Sequence, residues 1–120
     1  MPIQIKDVPN SNVVEVHVAG KLTAEEYKQF APQFDHCVAE KGKIRLLSEM
    51  SQLSGWEAGA AWEDFKLGVK HFADVERLAM VGEKKWQEVI AQLCRPFTTA
   101  EVRYFERSDL ATARNWLETD

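Results

Sequence analysis

The 120-residue sequence predicts a single α/β domain over residues 1–120, a mixed and largely parallel sheet flanked by helices in the order β-β-α-β-α-β-α-β-α. Three observations carry that expectation. Short runs rich in Val, Ile and Leu alternate with longer segments whose apolar residues recur at helical spacing. The chain opens as a hairpin and then alternates strand with helix, which calls for parallel neighbours joined by crossovers. No internal repeat and no linker-like tract divides the sequence.

Ile3 to Lys6 reads as a short strand and Val13 to Ala19 as a second, with Val14, Val16 and Val18 on one face and Val13, Glu15 and His17 on the other. Pro9-Asn10-Ser11-Asn12 between them is a turn. After Gly20, Thr23 and Glu26 form a capping-box signature for a helix to about Lys41, with Tyr27, Phe30, Phe34, Cys37 and Val38 as its apolar face. Pro32 inside that helix removes a backbone hydrogen bond, so a kink or break near Ala31 is expected. Gly42 stops the helix. Ile44 to Leu47, extending toward Met50, reads as an interior strand, and Ser51 to Gly55 as a loop. A helix follows within Trp56 to Phe72. Leu78-Ala79-Met80-Val81 suits a strand buried on both faces and ends at Gly82. Trp86, Val89, Ile90 and Leu93 mark the next helix, which Pro96 closes. Val102 to Phe105 is the last strand, and Ser108 caps a final helix carrying Leu110, Ala113 and Leu117.

Composition removes several function classes. Fifteen Lys and Arg against nineteen Asp and Glu give a net charge of -4 with both signs interspersed, which argues against nucleic acid as a partner. No apolar run approaches the ~18 residues of a membrane span, and the start lacks the pattern of a signal peptide, so a cytoplasmic protein is expected. Cys37 and Cys94 fall on separate helices without metal-ligand spacing and read as buried thiols. No metal and no cofactor is expected.

The segment WEAGAAWEDFKLGVKHF carries the strongest pattern. Ala58, Ala61, Trp62, Phe65, Val69 and Phe72 fall within a narrow arc at 100° per residue, while Glu63, Lys66, Lys70 and His71 lie outside it. The helix therefore lies on something apolar, and periodicity leaves open whether that is only the sheet or also a hydrophobic ligand. Leu67 falls off the stripe. Trp56 precedes the helix in the predicted loop, a place for a lid or a membrane-interface anchor.

Taken in order, GKIRLLSEMSQLSGW, AAWEDFKLGVKHF, LAMVGEKKW and FTTAEVRYF make the sequence resemble the SpoIIAA-like family over nearly its whole length. That resemblance implies a relative of the STAS domains, with an arrangement likened to the CRAL-TRIO lipid-binding fold. It further implies a non-enzymatic module that binds small hydrophobic molecules or associates with membranes, with a homodimer among its expected states. Topology independently directs attention to the carboxyl ends of the parallel strands, where ligands of open α/β sheets collect. Trp56, Trp62 and Trp86 converge there in this reading, with Leu22, Phe65 and Val69 as further ligand contacts. Lys21, Lys84 and Lys85, with the helix N-termini, are the candidates for a carboxylate or phosphate head group.

The alternative is a regulatory protein-interaction domain. STAS regulators carry a phosphorylatable serine in an Asp-Ser-Ser-Gly type motif, and the matching place here reads Gln52-Leu53-Ser54-Gly55, which keeps the candidate phosphosite Ser54 and the glycine but not the acidic residue or the first serine. An enzyme has little support. His17, His36 and His71 share no ligand spacing, no nucleophile elbow is present, and the adjacent carboxylates Glu25-Glu26 and Glu63-Asp64 diverge by about 100° on a helix. Gly82-Glu83-Lys84-Lys85 lacks the glycines of a phosphate loop.

Overall fold

The structure is a computed structural model that describes residues 3–8, 11–71, 73–95 and 99–119. Five strands form one sheet, β1 (Ile3–Asp7), β2 (Val13–Leu22), β3 (Ile44–Trp56), β4 (Val75–Gly82) and β5 (Glu101–Glu106), in that spatial order. β1 pairs antiparallel with β2, and all later neighbours are parallel. The helices are α1 (Ala24–Lys41), α2 (Ala58–Lys70), α3 (Lys85–Cys94) and α4 (Leu110–Glu118), the last entered through a 3₁₀ turn at Arg107–Asp109.

Each crossover steps one strand further in the same direction, so the right-handed rule places α1, α2 and α3 on one face. Only α4, after the last strand, is free to cover the other. The two apolar cores follow that division. Val14, Val16, Met50, Met80 and Val102 pack with α1, α2 and α3, whereas Val13, Leu47, Ala79, Val81 and Phe105 pack with Ala113 and Leu117 of α4. The Leu78–Val81 run is indeed buried on both faces.

The α4 face is solid. Arg45 Nη1 donates to the carbonyls of Leu117 and Thr119 at 2.8 and 2.6 Å, and Arg77 Nη1 to those of Trp116 and Thr119 at 2.7 and 2.5 Å, so two guanidinium groups satisfy the end of the helix. Arg77 and Arg103 also lie over the Trp116 ring at 5.4 and 5.3 Å. Buried Glu15 receives two hydrogen bonds from Arg114, at 2.8 and 3.0 Å. Burial alone would raise its carboxyl, but Arg114 and His17 outweigh it and hold Glu15 below the ordinary range.

Several local expectations are revised. β3 does not end near Met50: Ser51 to Gly55 is strand, because the long bulged β2 keeps pairing with it as far as Leu22 opposite Trp56. Gly20, at φ 70°, lies between two of the register shifts that let β2 follow. Trp56 is thus the last residue of a strand and not part of a loop. α1 runs through Pro32 without a break, started by Thr23, whose hydroxyl accepts the Glu26 N–H at 3.2 Å. In α3 the inward residues include Gln87 and Ala91, while Val89 and Leu93 face outward. Gln87 is wholly buried and ties the β4–α3 turn to β3, accepting from the Glu83 and Lys84 N–H groups and donating to the carbonyls of Met50 and Leu53. Cys37 is half-buried on α1. The Cys94 side chain, Phe72, Pro96 and the Pro9-Asn10 half of the first turn lie outside the described residues.

Candidate functional site

α2 is the helix whose packing departs most from its sequence pattern. It rests chiefly on α1 and only lightly on β3. The residues it turns toward α1 and the cavity are Ala60, Asp64, Leu67 and His71, a row at i, i+4, i+7 and i+11 in which Ala60 and His71 are buried, Leu67 is half-buried and Asp64 is exposed. Trp62, Phe65 and Val69 of the stripe stand exposed, at 59, 46 and 57%, with the Trp62 and Phe65 rings stacked at 5.7 Å. Leu67, which the pattern set aside, packs against the core. Close approach to α1 fixes this orientation: a Cβ at Gly59 would stand 3.2 Å from that of Ala24.

Because α2 stands off the sheet, a cavity of about 390 Å³ lies beneath it. Its floor is the sheet face, with Ile3, Val16, Val18, Leu22, Leu46, Met50, Leu53, Leu78 and Met80. α1 contributes Tyr27, Phe30 and Phe34, α2 contributes Asp64, Phe65, Leu67, Gly68 and Val69, and α3 contributes Ile90 and Leu93. Phe65, Val69 and Leu93 both line the cavity and stand exposed, which places its mouth between α2 and α3. The volume falls in the usual range of small-molecule pockets.

Among the described residues the lining is apolar except for Tyr27, Ser48, Asp64 and His71. Trp56 Nε1 donates to the Tyr27 hydroxyl at 2.8 Å, and the charge of Asp64 acts on Tyr27. Asp64 lines the cavity and is an exposed residue. Desolvation by the protein around it pushes its carboxyl up. Burial, followed by the charge of Asp64, likewise raises Tyr27 far beyond the neutral range. His71 is satisfied on both nitrogens, by Asp35 of α1 at 2.6 Å and Asp74 at 2.8 Å. Asp35 also receives Lys70 at 2.7 Å, so one carboxylate fastens the end of α2 to α1. The hydrogen bond from Lys70, ahead of that from His71, holds Asp35 below the ordinary carboxyl range.

Of the residues singled out from sequence, Leu22, Trp56, Phe65 and Val69 line the cavity. Trp86 backs Trp56 edge-on, with centroids 6.1 Å apart, and Trp62 stands outside. Lys21, in the last pairs of β2, and Lys84 and Lys85, past the end of β4, are exposed and do not line it, Lys85 pairing with Glu88 at 3.1 Å. The cavity lies along the sheet face under the helices, not past the carboxyl ends of the strands. Ser54 is exposed, three residues before the N-cap of α2. Sequence reasoning missed Tyr27 and Asp64 as site residues. The available signal was an acidic residue sharing a helical row with Ala60 and Leu67.

Among the described residues no helix is long and apolar enough to cross a membrane, and no group of His, Cys, Asp or Glu is arranged to hold a metal. The SpoIIAA-like family model matches residues 13–118. None of the curated proteins compared matches the chain. Among solved structures, a protein of the DUF3478 family with a SpoIIAA-like fold, from Shewanella loihica PV-4, is 31% identical, with 96% of this chain and 91% of that one covered and a TM-score of 0.80. The anti-sigma factor antagonist SpoIIAA in its unphosphorylated form shares the fold at 11% identity, TM-score 0.64 and coverage of 95 and 97%. A putative anti-sigma factor antagonist from Thermotoga maritima shares it at 15%, 0.62, and 98 and 95%.

Proposed function

The chain belongs to the SpoIIAA-like family, and on that premise we propose that it is a non-enzymatic binding module that holds a small hydrophobic or lipid-like molecule beneath α2, with reversible membrane contact through the outer face of that helix. The observation that carries the proposal is the apolar cavity. A floor of Val, Ile, Leu and Met gives water few partners, so an apolar occupant is the more favourable filling. The exposed Phe65 and Val69 line the cavity at its mouth, Trp62 stacks on Phe65 outside it, and a Trp and Phe pair on an amphipathic helix suits the interface of a bilayer.

Native mass spectrometry of freshly purified protein, followed by organic extraction, tests the binding reading. A retained apolar molecule at fixed stoichiometry supports it. An empty protein that also takes up no added apolar probe refutes it.

A second reading, a STAS-type regulatory interaction domain, is favoured by the exposure of Ser54 close to the start of α2 and by the fold shared with anti-sigma factor antagonists. Phosphorylation there would place charge near the N-terminus of α2. Mass mapping of protein isolated from its own cells supports this reading if Ser54 is phosphorylated and counts against a switch if it is not.

A further inference from the structure

One hydroxyl on the cavity floor stands without a protein partner. Of the polar side chains among the described lining residues, Tyr27 accepts from Trp56, His71 has a carboxylate on each ring nitrogen, and Asp64 is exposed. Ser48 is the remaining one. It is half-buried in the middle of β3, and its hydroxyl makes no hydrogen bond among the described residues. Register sets its place. Val16 of β2 and Met80 of β4 stand directly beside it, and Leu46 and Met50 precede and follow it on the same face of β3, all four lining the cavity. The hydroxyl is therefore a polar point ringed by apolar floor, away from the mouth that Phe65, Val69 and Leu93 mark. A hydroxyl taken from water without a compensating hydrogen bond is unfavourable, and a bound molecule that supplies the partner recovers that cost. No lysine or arginine lines the cavity, so no side chain there neutralises an anionic ligand.

We propose that Ser48 is the specificity-determining contact of this cavity, and that its ligand is an uncharged apolar molecule whose hydrogen-bonding oxygen, a carbonyl or a hydroxyl, lies within the apolar body and not at its end. The inference rests on the binding reading above and names its ligand class. A serine hydroxyl both donates and accepts, so a ketone and a secondary alcohol are both complementary to it. An oxygen held over Ser48 leaves ligand carbon on either side, against Leu46 and Val16 and against Met50 and Met80. A molecule with a terminal head group fits less well. With that group over Ser48 it leaves part of the floor uncovered, and with that group at the mouth it leaves the hydroxyl unpaired.

The test is displacement of the neutral fluorophore N-phenyl-1-naphthylamine from the full chain by the isomers 5-decanone and 2-decanone, in wild type and in Ser48→Ala. The two ketones differ only in where the oxygen sits, so their costs of leaving water nearly cancel. In the wild type 5-decanone should displace the probe about fivefold more tightly than 2-decanone, the scale of one neutral hydrogen bond. Ser48→Ala removes only the hydroxyl and should keep the wild-type circular dichroism and probe affinity. There the preference should vanish. If 2-decanone binds the wild type as tightly as 5-decanone, the inference is overturned with no variant required, while the binding reading stands. A preference that survives in folded Ser48→Ala would overturn Ser48 as its source. Failure of the probe and of both ketones to bind would overturn the binding reading first, and this inference with it.

Discussion

Asp64 is a residue that the fold tolerates at a cost. Its ordinary carboxyl is raised by desolvation, so the folded protein favours the protonated form, and the contribution to stability present at low pH is lost as pH rises through the folded-state value. Asp64→Asn should therefore melt higher than wild type at pH 8 and close to it near pH 3, measured by thermal denaturation across pH; a variant less stable at both would contradict the assignment. Glu15 has the opposite sign. Held low by Arg114 and His17, it stabilises the fold above its unfolded value and loses that contribution as pH falls through the folded one. Arg114→Ala should cost about 1–2 kcal/mol at pH 7, and the difference from wild type should shrink in acid as Glu15 protonates in both. Tyr27→Phe strands the indole N–H of Trp56, an expected loss of about 1–3 kcal/mol in urea unfolding.

At the scale of elements, α2 separates what pattern could reveal from what it could not. The strong stripe of Trp62, Phe65 and Val69 identified the helix and marked it as unusual, but an apolar stripe turns toward a core only when the helix has one to cover. Here the inner row of Ala60, Asp64, Leu67 and His71 roofs a cavity and abuts α1, so the large side chains are left for the mouth and the outer face. β3 was cut short for a related reason: Ser51, Gln52, Ser54 and Gly55 are poor strand formers, and only pairing with a bulged β2 makes them strand. Capping at Thr23 and the doubly buried Leu78–Val81 run were local signals and needed no such context. Trp62→Ala should change stability by no more than about 0.5 kcal/mol while weakening association with anionic vesicles, since the side chain is exposed. Gly68→Ala meets open space in mid-helix and should stabilise by about 0.5–1 kcal/mol.

Over the whole molecule, the sheet divides labour between its faces. The α4 side is closed by Arg45, Arg77 and Trp116 into a packed layer, and the other side carries three helices, one of them held away from the strands by its lean on α1. That asymmetry follows from sequential right-handed crossovers, which put three helices on one face and leave one for the other. It gives a rigid base and a chamber whose roof is fastened at the Asp35 contact with Lys70 and His71. A binding role stands or falls on occupancy of that chamber. Filling it from within provides the most direct measurement: Leu67→Trp, which projects a larger side chain into the cavity, compared with wild type by native mass spectrometry in the presence of 1-decanol. Wild type should carry one molecule per chain and the variant none while remaining folded by circular dichroism. Equal uptake by both, or by neither, would contradict a ligand bound beneath α2.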